Sequence, residues 1–150
     1  MTHAGPPSGG KALAVDLGTR RIGLAVSDRA GSMAFPHSVL VRSEDPEADR
    51  AAIADAVAET GATTVVVGLP LSLDGTDGPA ARGARQEADA LARVLPGTEV
   101  VLFDERLTTV SAQAALAAAG RRSHQRRAVV DSAAAAVLLQ SWLDAGRPAP

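Results

Sequence analysis

Three carboxylates stand where an apolar core should exclude them. Asp16 closes the run Ala12-Leu13-Ala14-Val15, Glu105 follows the run Val100 to Phe103, and Asp131 lies inside the almost wholly apolar stretch from Ala128 to Leu143. A carboxylate at the end of a buried strand is costly unless it is paired or coordinates a cation. Three of them point to a metal site, and hard oxygen ligands suit Mg²⁺ or Mn²⁺.

Each acid also has a plainer role. Asp16 could accept backbone N–H groups around Gly18 and Thr19 in a turn. The pair Asp104-Glu105 could cap a helix start ahead of Leu107-Thr108-Thr109. Adjacent strand residues point to opposite faces, so only one of that pair readily joins a single site, and spacing does not choose between them. Asp131 could complement a helix dipole. However, Ala128, Asp131, Ala135, Leu138 and Trp142 share one helical stripe, apolar apart from the acid, which sets that carboxylate against packed structure.

Positive charge gathers near the same places. Arg121, Arg122, Arg126 and Arg127, with His124, form a concentrated basic stretch just before Asp131. A solvated loop is the ordinary fate of such a run, but its placement favours phosphate contact beside the site. Arg20 and Arg21 follow Asp16 by four and five residues and belong to the same edge. The Gly-containing segment 70–78 could cradle phosphate with backbone amides, although it matches no Walker pattern.

The elements that position these residues follow from periodicity and punctuation. Apolar runs predict strands over 11–17, 21–28 and about 34–42, the first two joined by a Gly-containing turn. A helix is expected over about 46–60, with Asp45 as N-cap, Pro46 at the first helical position and Gly61 past its end. Strand 63–69 reads as covered on both faces. Pro79 opens a helix to about 95, strand 98–103 follows, and two helices at about 109–119 and 127–144 close the chain. Right-handed crossovers make strands 1, 4 and 5 parallel, with strand 2 antiparallel beside strand 1. The expected fold is therefore α/β, a five-stranded mixed sheet of order 3-2-1-4-5 with helices on both faces. Functional groups gather at the carboxyl ends of parallel strands; Asp16, the 70–78 loop and Glu105 fall at that edge, and Asp28 falls at the other.

The bulk numbers bound the function. A chain of 150 residues, 46% hydrophobic and 21% charged, fits one soluble domain over 11–145 with disordered tails at 1–10 and 146–150. No apolar run approaches a membrane span and no signal peptide opens the chain, so a cytoplasmic location is expected. The absence of cysteine excludes disulfides, thiolate zinc sites and cysteine nucleophiles. A net charge of −2 argues against a protein that coats nucleic acid indiscriminately, though not against a local basic patch.

Several separated motifs together carry a resemblance. Asp16-Leu17-Gly18-Thr19-Arg20-Arg21-Ile22-Gly23-Leu24-Ala25-Val26-Ser27-Asp28, Val67-Gly68-Leu69-Pro70-Leu71, Asp74-Gly75, Gly78-Pro79, Asp104-Glu105-Arg106-Leu107-Thr108-Thr109 and Asp131-Ser132-Ala133-Ala134 resemble the YqgF family over about residues 11–144. Its members are described as Holliday-junction resolvases or pre-16S rRNA nucleases with an RNase H-like fold. The resemblance implies an acidic triad of Asp16, Glu105 and Asp131, choosing Glu105 over Asp104. It implies a Mg²⁺- or Mn²⁺-dependent nuclease that hydrolyses phosphodiester bonds directly in precursor rRNA or branched DNA. Junction cleavage would favour a two-fold homodimer. Better-known resolvases carry their second acid after the fourth strand, where this chain has Gly68-Leu69-Pro70, so Glu105 must reach across from the next strand. Two other readings stand beside this one. A non-catalytic nucleic-acid or transcription-factor partner is the main alternative. Asp-Leu-Gly-Thr also resembles the first phosphate motif of actin-like ATPases and sugar kinases, but those need two such domains around the nucleotide.

Overall fold

A computed structural model describes residues 10–108 and 127–146, with the backbone alone for 127–131. Five strands form one sheet of order β3-β2-β1-β4-β5: β1 (Lys11–Leu17), β2 (Arg21–Ser27), β3 (Ala34–Val41), β4 (Ala62–Leu69) and β5 (Glu99–Asp104). β2 is antiparallel to β1 and β3, whereas β4 is parallel to both β1 and β5. Order and directions are those expected from the crossover rule.

Local chemistry explains the helix limits. In α1 (Pro46–Thr60) the Asp45 side chain accepts from the Glu47 N–H at 3.0 Å, and Pro46 occupies the first turn. Gly61 ends the helix at a φ of 74°, its N–H donating to the Val57 carbonyl. That left-handed conformation is one a side chain would resist. α2 (Pro79–Val94) opens at Pro79. α3 (Arg127–Ala145) closes the described chain. The expected helix at 109–119, the basic residues Arg121, Arg122 and Arg126, and the expected tails, save Gly10 and Gly146, lie outside the described residues.

Two apolar layers sandwich the sheet. Leu13 and Val15 of β1, with Val65 and Val67 of β4, pack on Ile53 and Val57 of α1 and Ala84, Ala88 and Leu91 of α2. Ala12 and Ala14, with Val66 and Phe103, pack on Ala135, Leu138, Leu139 and Trp142 of α3. The alanines on this second face let α3 lie close to the sheet. Buried Gln140 ties the helix to the edge strand by accepting from the Ala34 N–H at 2.9 Å and donating to the Ser32 carbonyl at 3.1 Å. Asp28 lies at the edge opposite the site, where it accepts from the Ser32 and Met33 N–H groups and closes the β2–β3 turn. No helix among the described residues is long and apolar enough to cross a membrane.

Candidate functional site

Strand alternation decides which acid enters which space. Even-numbered residues of β1 face α3, so Asp16 continues the face of Ala12 and Ala14. In β5, Phe103 faces α3 while Leu102 packs on the opposite layer. The chain then leaves the sheet in a single 3-10 turn, Glu105–Leu107. This turn was not expected from the sequence, and it keeps Glu105 on the α3 side, the face that alternation gives it after Phe103. Asp16 and Glu105 consequently line one cleft of about 240 Å³, together with Thr108 and with Ala134, Val137 and Leu138 of α3.

Asp104 turns the other way. Its carboxylate accepts from the Arg106 N–H at 2.9 Å, which caps the turn, and from the Arg106 guanidinium at 2.7 Å. The hydrogen bond from Arg106 holds the Asp104 carboxyl below its ordinary range. Glu105 is displaced in the opposite direction: burial pushes its carboxyl up, and the negative charges of Asp16 and Asp104 add to the effect. One acid of the pair is thus neutralised by a neighbouring cation, and the other is a half-buried carboxylate facing a second carboxylate. A bound cation would relieve that second arrangement.

Asp131 sits in α3 one turn before Ala134, a lining residue of the same cleft; its side chain lies outside the described residues. Among the described residues no group of three or more His, Cys, Asp or Glu side chains converges on a metal position. The described part of the expected triad is a pair.

The cations divide similarly. Arg20 is exposed on the β1–β2 turn, which is closed by the Gly18 N–H donating to the Arg21 carbonyl at 2.8 Å. Strand pairing sets Asp16 opposite Gly23, so Arg21 lies on the α3 face one pleat nearer the turn. Arg127 begins α3, with only its backbone described. Arg42 was not singled out by sequence reasoning, because a lone arginine after a strand carries no motif. Its N–H donates to the Arg20 carbonyl at 2.9 Å, and with Thr19 and the start of α2 it lines a cavity of about 290 Å³ at the same sheet edge.

The 70–78 loop is built largely from its own contacts. Its Ser72, Gly75 and Thr76 N–H groups donate to Thr76, Ser72 and Asp74 respectively, so three amides are already engaged and a phosphate cradle has fewer donors than expected. Arg106 spans from Asp104 to the Leu73 carbonyl at 3.4 Å and pins this loop beside the cleft. His37 lies on the edge strand against Glu59 at 3.2 Å, away from the site.

Comparison with known proteins adds the family. The family model described as RuvX, Holliday junction resolvase, matches residues 10–145. The chain belongs to the RuvX family. Resolvases cleave phosphodiester bonds, so this RuvX chain falls among hydrolases of that class, and the YqgF resemblance seen in the motifs is to the same family. A relative from Kineococcus radiotolerans, named "Putative pre-16S rRNA nuclease", is 54% identical over 92% of this chain and 73% of its own. One of the same name from Myxococcus xanthus is 46% identical over 92% of this chain and 90% of its own. In structure the RuvX chain is similar to Thermus thermophilus RuvC in complex with Holliday junction substrate, with a TM-score of 0.58 and 14% identity over 89% of this chain and 94% of that one. It is similar also to the yeast mitochondrial Holliday junction resolvase Ydc2, with a TM-score of 0.53 and 10% identity over 93% of this chain and 79% of that one. At such identities these likenesses speak for the RNase H-like fold alone.

Proposed function

We propose that this protein is a divalent-metal-dependent nuclease that hydrolyses phosphodiester bonds in structured nucleic acid, with Asp16, Glu105 and Asp131 as its acidic site. The observation that carries the reading is the pairing of two carboxylates, one pushed up by burial and by the other's charge, in an open cleft at the carboxyl edge of the sheet. A purely structural acid is neutralised in place, as Asp104 is by Arg106; Glu105 has a like charge for its neighbour.

The residues fit a hard cation. Asp16 and Glu105 supply oxygen donors alone, and with Asp131 they would hold Mg²⁺ or Mn²⁺. When bound, such an ion lowers the pKa of water and stabilises a leaving oxygen. Everything else falls to the chain. Buried Leu138 and half-buried Val137 give the cleft an apolar wall beside half-buried Glu105, and lower local polarity strengthens the attraction of a carboxylate for a cation. Arg20 and Arg21 on one side, and Arg121, Arg122, Arg126 and Arg127 ahead of Asp131, would hold the phosphate backbone on either side of the scissile bond. No cysteine is present to form a covalent intermediate, and direct hydrolysis is the expected route.

The names of the relatives point to precursor 16S rRNA and the family description to four-way DNA junctions. Both are structured polyanions bearing the same scissile bond. Purified wild-type protein should therefore be given a precursor rRNA 5′ segment and a four-way junction, each with Mg²⁺ and with EDTA. Cleavage of either substrate only with metal supports the reading, and a two-fold dimer is expected if the junction is cut. Tight binding without cleavage of either would favour a non-catalytic nucleic-acid partner.

A further inference from the structure

Glu105 follows the end of β5, yet Asp16 lies near the end of β1, and β4 lies between them. A carboxylate from β5 can reach toward β1 only by passing over the β4 backbone. At that crossing the apolar run Val65-Val66-Val67 gives way to Gly68, whose face of the strand is the α3 face of Val66. A Cβ placed on Gly68 would overlap Glu105 Oε2 and would lie 3.2 Å from both Glu105 Cδ and Cγ. The three nearest atoms to that position all belong to the Glu105 side chain.

Backbone conformation does not explain this glycine. Among the described residues the glycines with positive φ are Gly31, Gly61, Gly75 and Gly97, and Gly68 is not one of them. It is a buried residue inside a regular parallel ladder, paired with Phe103. Such a position normally favours a β-branched residue, and glycine there weakens the strand. A glycine inside a strand often marks a close approach of another group, and here the approaching group is the Glu105 carboxylate.

We propose that Gly68 is a positioning residue for the acidic site, holding open the space through which Glu105 crosses β4 to face Asp16. The proposal rests on the reading of Asp16 and Glu105 as metal ligands. Glu105 is a flexible side chain, so an added methyl group would swing its carboxylate aside at little cost to the fold. The consequence falls on the metal, because supporting groups that fix a ligand are typically worth 10–100-fold in affinity.

The test is a titration of the metal-free full-length chain with Mn²⁺ alone, read by calorimetry, for wild type, Gly68→Ala, Glu105→Gln and the double variant. Gly68→Ala should keep the wild-type circular dichroism spectrum and weaken Mn²⁺ binding by about 10–100-fold. In the Glu105→Gln background the same substitution should change affinity less than about twofold, since the pair acts as a unit. Wild-type affinity in Gly68→Ala, or an equal loss in both backgrounds, overturns the proposal while leaving the ligand reading intact. Wild-type affinity in Glu105→Gln removes the ligand reading and the proposal with it. If Gly68→Ala alone does not fold, Glu105→Ala in the same chain must restore folding. A double variant that stays unfolded means that the new Cβ meets something other than Glu105, and that also overturns the proposal.

Discussion

Glu105→Gln separates two consequences of one charge. The substitution keeps the side chain's volume and removes the like charge that faces Asp16 across the cleft. For like charges about 4–6 Å apart, Coulomb's law between effective dielectrics of 20 and 80 gives about 0.7–4 kcal/mol of repulsion. Glu105 is half-buried, so solvent screening argues for the lower part of that range, about 1 kcal/mol. For a chain of this size that corresponds to a rise in Tm of about 2–4 °C. At neutral pH in EDTA the Gln variant should therefore melt higher than wild type. The difference should vanish in acid: the folded-state pKa of Glu105 lies above its unfolded value, so wild type regains its full stability below the unfolded pKa and loses it as pH rises through the folded pKa. Added Mg²⁺ should reverse the order, stabilising wild type by mass action and leaving the variant little changed. Differential scanning fluorimetry at several pH values, with EDTA or Mg²⁺, reads all three effects, and a nuclease assay should show strong loss of cleavage. A Gln variant that melts lower than wild type in EDTA, and still gains stability from Mg²⁺, would mean that Glu105 neither opposes Asp16 nor holds the cation.

Three further outcomes follow from particular contacts. Asp104→Ala should retain cleavage but lose about 1 kcal/mol of stability with the cap it gives the Arg106 N–H; because Arg106 depresses the Asp104 pKa, the ionic part of this contribution should also fade in wild type as pH falls through that depressed value, as a thermal melt series will show. Gln140→Leu leaves the buried Ala34 N–H without its acceptor and should cost about 1–3 kcal/mol by urea denaturation, with no change in metal affinity. Replacing Arg121 and Arg122 by Ala should weaken binding to all sequences alike and make the slope of log affinity against log salt shallower by roughly one to two units; an unchanged slope would assign those residues to a solvated loop and move the binding surface toward Arg20, Arg21 and Arg42.

Much of the fold was legible because its signals are local. The limits of α1 follow from Asp45, Pro46 and Gly61, each acting within a turn of where it stands. The sheet order follows from the apolar runs and the handedness of crossovers. Asp16 stood out because a single acid closed a buried strand. The choice between Asp104 and Glu105 was not legible from spacing, since alternation separates the two but does not say which face of β5 looks onto α3 and Asp16. In space the two part clearly, one bound to Arg106 and the other in the cleft with Asp16. Gly68 was read only as a missing acid, because the group it accommodates arrives from the next strand of the sheet. Arg42 escaped notice for a similar reason: its neighbour Arg20 is a β-ladder away in sequence and adjacent only through the β2–β3 pairing.

The most direct measurement is single-turnover cleavage of an end-labelled precursor rRNA segment and of a four-way junction by wild type and by Asp16→Asn, with Mg²⁺ throughout and both proteins shown to be folded. An acidic site built on Asp16 predicts that wild type cuts at least one substrate and that Asp16→Asn cuts neither while still binding the one wild type cuts. Cleavage by Asp16→Asn at the wild-type rate would contradict it.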